Sequence, residues 1–238
     1  NCYRSKEAAK GATTDAAIGN AKQNEDAVPG DTASVISLVK GIKEIVGVVL
    51  KDNEGNAGAT NTGDTEKKSI GKLFAKKDDD RAQEAEAAAA NASIGSVSGA
   101  DILKAIAKPK EDPKVNDAEG IVKATDAAEI AVAPSKDDKK EISEESAKKD
   151  AIIAAGIALR AMAQDGKFTA KNGEEKSAHV VNGAAASAVG KTLSTLIIAI
   201  RNTVDSGLKK INEVLATVTQ GDKSSGVANT GEVTSSGQ

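Results

Sequence analysis

Aromatic residues are nearly missing from this chain. It has no Trp, and Tyr3, Phe74 and Phe168 are the only aromatic side chains among 238 residues. Aromatics normally supply much of a buried core, so Ala, Ile, Val and Leu have to build this one. Such side chains let helices approach closely but bury less area each, which implies a thin core. Cys2 is the single cysteine, and this excludes an internal disulfide and a cysteine-based metal site. His179 is the single histidine, so no paired-histidine metal site exists. No run approaches the roughly 20 apolar residues of a membrane-spanning helix; the stretch Ile45–Leu50 is broken by Gly47, and Leu196–Ile200 is short. Net charge is −3, with acidic and basic residues interspersed. The basic bias and stacking platforms of a nucleic-acid binder are missing, so no nucleic-acid partner is expected.

What is present is helical. Ala, Lys, Glu and Asp are abundant and alternating β-branched runs are absent, which favours an all-α fold. The clearest pattern lies at Ala184–Val218. Val189, Leu193, Leu196, Ile197, Ile200, Val204, Leu208, Ile211, Val214, Leu215 and Val218 recur at steps of three and four, the spacing of one helix stripe. At 1.5 Å per residue that helix is roughly 50 Å long. A stripe so one-sided is expected to lie against other helices, and the rest of the chain reads as its partners and the loops between them. The expected architecture is an elongated helical bundle with a long C-terminal helix.

Val35, Leu38, Val39, Ile42, Ile45, Val46 and Val49 mark a second helix, capped by Asp31 or Thr32 and running to about Lys51. Lys67–Lys77 carries a short amphipathic turn. Asp78–Asp80 offers caps for an alanine-rich helix from about Arg81 to Asn91. Ser98 and Asp101 fit a capping box that opens a helix with Ile102, Leu103 and Ile106, ending before Pro109. Ala118–Val132 reads as a further helix. Lys148–Gln164 is the third strong one, with Ile152, Ala155, Leu159 and Met162 on one face and Gly166 as its stop. The segments at 52–64, 108–117, 134–147 and 171–178 read as loops. Residues 1–31 read as a flexible lead-in, 32–220 as the helical domain, and 221–238 as a disordered tail.

Chemistry is hard to find. The acidic clusters at Asp78–Asp80 and at Glu144 and Glu145 lie in solvated segments, whereas a general acid needs a dry pocket beside a differently tuned partner. His179 reads as a helix-start residue. Ala185–Thr192 spells a relaxed phosphate-binding loop, but a helical pattern continues through it and no strand precedes it, so nucleotide binding is not expected. No cofactor, metal site or enzymatic activity is expected.

The segment Lys148–Phe168, KKDAIIAAGIALRAMAQDGKF, carries a recognisable pattern. It resembles the invariable helix of the Borrelia variable major proteins, the variable large protein and Vmp-like-sequence surface lipoproteins. Lys148, Lys149, Asp150, Ile153, Leu159, Arg160, Met162, Asp165, Gly166 and Phe168 are among the matching positions; Ala151, Ile152, Gly156, Ala161 and Gln164 depart. GIKEIV at Gly41–Val46, KLF at Lys72–Phe74, VSGADILKAI at Val97–Ile106 and IRNTVDSGLKKINEVLATVTQ at Ile200–Gln220 agree in the same order, and the last is closer to the relapsing-fever variable large proteins. The family's aromatic-rich N-terminal helical part is not visible before Val35, so the chain resembles a partial or recombined copy. The resemblance implies an outer-surface lipoprotein antigen, anchored by lipid in the outer membrane with Cys2 as the candidate lipidation residue, after loss of Asn1. It implies antigenic variation that evades host antibodies, the loops varying while the stripes stay fixed by packing. An adhesin built on the same bundle is the alternative, and a homo-oligomer is left open.

Overall fold

The computed structural model describes residues 18–62, 67–76, 82–109, 112–113 and 118–224, with side chains to 218. Two units, Asn1–Ile198 and Ala199–Gln238, are described separately. The first is organised around one helix, Asp150–Met162, in which all 13 residues are buried. In AIIAAGIALRAM, only Arg160 is neither small nor apolar. A helix apolar all round belongs inside a protein rather than on its flank. The sequence had pointed to the Ala184–Val218 stripe as the organiser; the buried centre is instead this shorter helix.

In chain order, β1 (Lys22–Gln23) is followed by α1 (Thr32–Val49), a 3-10 segment at Lys67–Phe74, α2 (Glu84–Ser96) and α3 (Gly99–Ala107). A second 3-10 turn (Gly120–Lys123), α4 (Ala127–Val132), α5 (Glu144–Ala147), the central α6 (Asp150–Met162), β2 (Thr169–Ala170) and α7 (Glu175–Ser224) complete it. The two short strands pair in parallel, Lys22 with Thr169 and Gln23 with Ala170. The all-α reading holds, with this small ribbon added.

Local chemistry explains the boundaries. Asp31 caps α1, its carboxylate accepting from the Ser34 amide at 2.7 Å. The box at Ser98 and Asp101 forms, opening α3. The alanine-rich helix starts later than expected, capped by Gln83 and Glu86; the anticipated caps at Asp78–Asp80 lie outside the described residues. The single helix expected over Ala118–Val132 is two pieces. Gly120 sits at φ +54, the first piece ends at Lys123 with Ala124 extended, and Asp126 caps α4 by accepting from the Glu129 amide. Residues 20–31, expected as part of a flexible lead-in, are tied to the centre. Gly30 donates to the Ala131 carbonyl, Asp31 to that of Gln164, and Val28 and Lys167 exchange amide bonds.

The first part of α7 completes this core through Val181, Ala184, Ala185, Ala188 and Val189, all buried. By length and composition alone, α7 is apolar enough over Glu175–Val218 to cross a membrane, unlike the expectation from its interrupted runs. In the second unit, Val204, Leu208, Ile211, Val214 and Val218 are each more than half exposed. Within that unit, described by itself, the stripe expected to lie against other helices is exposed. Of the expected tail, 221–224 continue α7, and 225–238 lie outside the described residues.

Candidate functional site

The resemblance residues 148–168 fall on α6 and its two flanks, and the structure assigns them different work. At the N-terminal end, Asp150 is fully buried. Its carboxylate accepts from the Asn61 amide at 2.8 Å, the Thr62 amide at 2.9 Å and the Thr62 hydroxyl at 2.7 Å. Lys67 Nζ stands 3.1 Å away and is also buried. Burial alone would push the Asp150 carboxyl up; the bonds from Thr62 and Asn61 outweigh it and hold the group down at about 2. Asp150 thus clamps the end of the exposed 51–62 loop onto the buried helix. The loop is held elsewhere too. The Ala151 amide donates to the Ala59 carbonyl, Asn61 Nδ2 to the Ser96 carbonyl, and the Asn56 amide to Asp101. Gly55, at φ +79, lies where a Cβ would run into the Ala100 backbone.

At the other end, Arg160 is a cation with no exposed surface. Its Nε donates to the carbonyls of Val28 (3.0 Å) and Lys167 (3.2 Å), and Nη1 to those of Ala133 (3.2 Å) and Ile130 (3.4 Å). The guanidinium lies 4.9 Å above the Phe74 ring, and Phe74 meets Phe168 edge-on at 5.5 Å. Burial brings the Arg160 pKa down to about 9. One side chain therefore gathers the 20–31 segment, the end of α4 and the chain after α6. Gly166 is not the immediate stop of the helix, which ends at Met162. Its hydrogen-only position lets the Arg160 carbonyl come close, while Asp165 takes φ +64. Ile153, Leu159 and Met162 are core. Lys148 and Lys149 are surface residues in i,i+4 pairs with Glu144 (3.0 Å) and Glu145 (2.9 Å).

Gly156, a departure from the resemblance pattern, has a packing cause. A Cβ there would stand 2.5 Å from Ile130 Cγ2, so α4 and α6 touch as closely as they do because the side chain is missing.

The expected loops are narrower than the sequence suggested. In 134–147, Ile142 is buried, and Ser143 and Ser146 both donate to the Ala124 carbonyl. In 171–178, α7 has begun by Glu175, and Ser177 is buried. Most of 110–117 lies outside the described residues, as does Cys2. Among the described residues of these loops, 52–54, 56, 60–61, 108, 112, 137–138, 141, 144–145 and 172–176 are exposed, as is 51 beside them.

The other residues that the sequence singled out have these surroundings. Ala185–Thr192 lies well inside α7, so its amides are committed to the helix; Lys191 Nζ donates to the Ile94 carbonyl at 2.8 Å and the Thr192 hydroxyl to that of Ala188. His179 is largely exposed beside Glu175. Among the described residues, no group of three or more His, Cys, Asp or Glu could hold a metal ion. A surface cavity of about 390 Å³ is lined by Asp126, Glu129, Glu145, Lys108 and Lys149, among others. Burial raises the Asp126 carboxyl there, but that carboxylate is occupied in capping α4.

Comparison with known proteins agrees with the geometry. A family model described as Borrelia lipoprotein matches residues 3–215. Variable large protein 4 of Borrelia hermsii is 64% identical over 240 residues, covering 98% of this chain and 66% of its own length. Variable large protein 17 of the same organism is 66% identical over 234 residues, covering 98% and 65%. The chain thus spans just under two thirds of the length of these relatives. The crystal structure of the Lyme disease variable surface antigen VlsE of Borrelia burgdorferi aligns at a TM-score of 0.75 and 36% identity, over 89% of this chain and 71% of that one.

Proposed function

We propose, on the premise that the chain belongs to the Borrelia lipoprotein family that includes the variable large proteins, that it is a variable antigen of the cell surface. In this reading it is carried on the extracellular face of the outer membrane by a lipid anchor. Host antibodies are its partners, and it performs no catalysis. Exchange of loop sequence between expressed copies lets it escape antibodies raised against an earlier copy. The carrying observation is the contrast within one fold. The central helix is buried on all 13 of its residues, while 51–54, 137–138 and 172–174 are exposed and bury little. Substitutions in such loops cost little stability, whereas substitutions in α6 disturb close packing. Variation is therefore tolerated where antibodies reach and suppressed where they do not.

The test exchanges loops. Serum raised against this chain is measured on a variant carrying the 51–54, 137–141 and 171–174 segments of a variable large protein such as variable large protein 17. The reading expects binding to fall at least about tenfold while the melting temperature stays within a few degrees. Unchanged binding would place the dominant epitopes on the frame and sink the proposal.

A further inference from the structure

Asn-Gly occurs twice in the chain, at Asn172–Gly173 and at Asn182–Gly183, and the fold puts the two copies in opposite settings. Asn172 and Gly173 form the tip of the turn between β2 and α7, and both are exposed. Gly173 takes φ +75, and a Cβ there would meet nothing within 4 Å. Among the described residues, neither the Gly173 amide nor the Asn172 side chain has a hydrogen-bond partner. Asn182–Gly183 lies inside α7, so the Gly183 amide is committed to the helix. The Asn182 side chain is held as well. Its Oδ1 accepts from the Ala21 amide at 2.7 Å, and its Nδ2 donates to the Ala21 carbonyl at 3.2 Å. We propose that Asn172 is a site of spontaneous deamidation, a reaction that the fold permits there and suppresses at Asn182.

The reaction needs only this chain and water. Hydroxide takes the Gly173 amide proton, and that nitrogen attacks Asn172 Cγ. The N–Cγ bond forms, the Cγ–Nδ2 bond breaks, and Nδ2 leaves as ammonia with a proton from water. One water molecule then opens the cyclic imide. Opening at the Cγ carbonyl gives aspartate. Opening at the Asn172 backbone carbonyl gives isoaspartate, whose main chain runs through Cβ and Cγ. Either product carries one new negative charge. Ring closure requires the glycine nitrogen to swing towards its neighbour's side chain. An unbonded amide on a residue without a Cβ allows that, whereas an amide inside a helix has first to be released by local opening.

Both ends of the turn are fixed. The Lys171 amide donates to the Ala82 carbonyl at 3.0 Å, and the Ser177 amide to that of Glu174 at 3.1 Å. The change is therefore confined to the tip. Lys171 Nζ, 2.8 Å from Glu174 Oε1, gains another carboxylate close by, and negative charge is favoured before the N-terminal end of a helix such as α7. The loop thus changes its charge and its chain path with the age of the molecule and with no change in the gene. This inference does not rest on the proposed antigenic role.

The test incubates the folded full chain at mildly alkaline pH in heavy-oxygen water and maps its peptides by mass spectrometry. Aspartate and isoaspartate carrying the heavy oxygen are expected at residue 172, with residue 182 reacting at least about tenfold more slowly. In guanidinium chloride the fold is gone, and the two sites should react at comparable rates. Gly173→Ala should slow the reaction at residue 172 about tenfold, and circular dichroism should show that variant folded, since the position is exposed. An intact Asn172 in the folded chain would overturn the inference. So would equal rates at residues 172 and 182 before unfolding, or a rate at residue 172 indifferent to Gly173→Ala.

Discussion

Asp150 and Arg160 stand ten residues apart on α6, and each fastens a different part of the chain to it. Removing the Asp150 charge leaves Lys67 buried without its counter-ion. Breaking a buried pair on one side costs about 3–5 kcal/mol, so Asp150→Asn is expected to destabilise by about 3 kcal/mol in urea melts. The pH dependence follows from a folded-state pKa of about 2 against an ordinary 3.8. The carboxylate's contribution is complete above pH 4 and is lost as pH falls towards 2. It amounts to about 2 kcal/mol, and Asp150→Asn should lose this acid slope. Arg160→Lys keeps the charge but not the planar fork, and a single ammonium cannot serve carbonyls at Val28, Lys167, Ile130 and Ala133 together. A loss of about 2 kcal/mol is expected, with the Val28 and Lys167 amides exchanging faster in deuterium while the α6 amides stay comparatively protected. Neither residue announced its role in the sequence. A lone cation or acid reads as solvated, and only the unbroken small and apolar run around Arg160 hinted that its whole helix was interior.

Elements were more legible than residues where a local rule decides them. α1 begins at its Asp31 cap, and α3 begins at Ser98 with Asp101 completing the box. Burial pushes the Asp101 carboxyl up, but bonds from Ser98 and the Asn56 amide hold it below its ordinary value. It therefore joins α3 to the 51–62 loop. Asp101→Ala is expected to cost about 1–2 kcal/mol and to raise proteolysis within 51–58 before the core opens, readable by limited digestion. Sequence reasoning failed where tertiary placement decides. The 118–132 segment breaks at Ala124–Asp126, where the backbone turns extended and Asp126 caps a new helix. The 20–31 segment is fixed by distant carbonyls rather than by any pattern of its own. The C-terminal stripe was legible as a helix, but nothing in its periodicity says what covers it.

For the whole molecule, the account is a division of labour. A core mostly of Ala, Ile, Val and Leu, with two phenylalanines beside Arg160, fixes the frame, and the 51–62 loop is pinned to it. That division suits a protein whose outward face changes while its fold does not, and it requires no catalytic group. Display at the cell surface is the claim on which the rest depends. The most direct measurement is proteinase treatment of intact cells expressing the chain, followed by immunoblotting beside a periplasmic protein. The account expects the chain to be digested while the periplasmic protein survives; a chain that stays intact until the cells are lysed would contradict it.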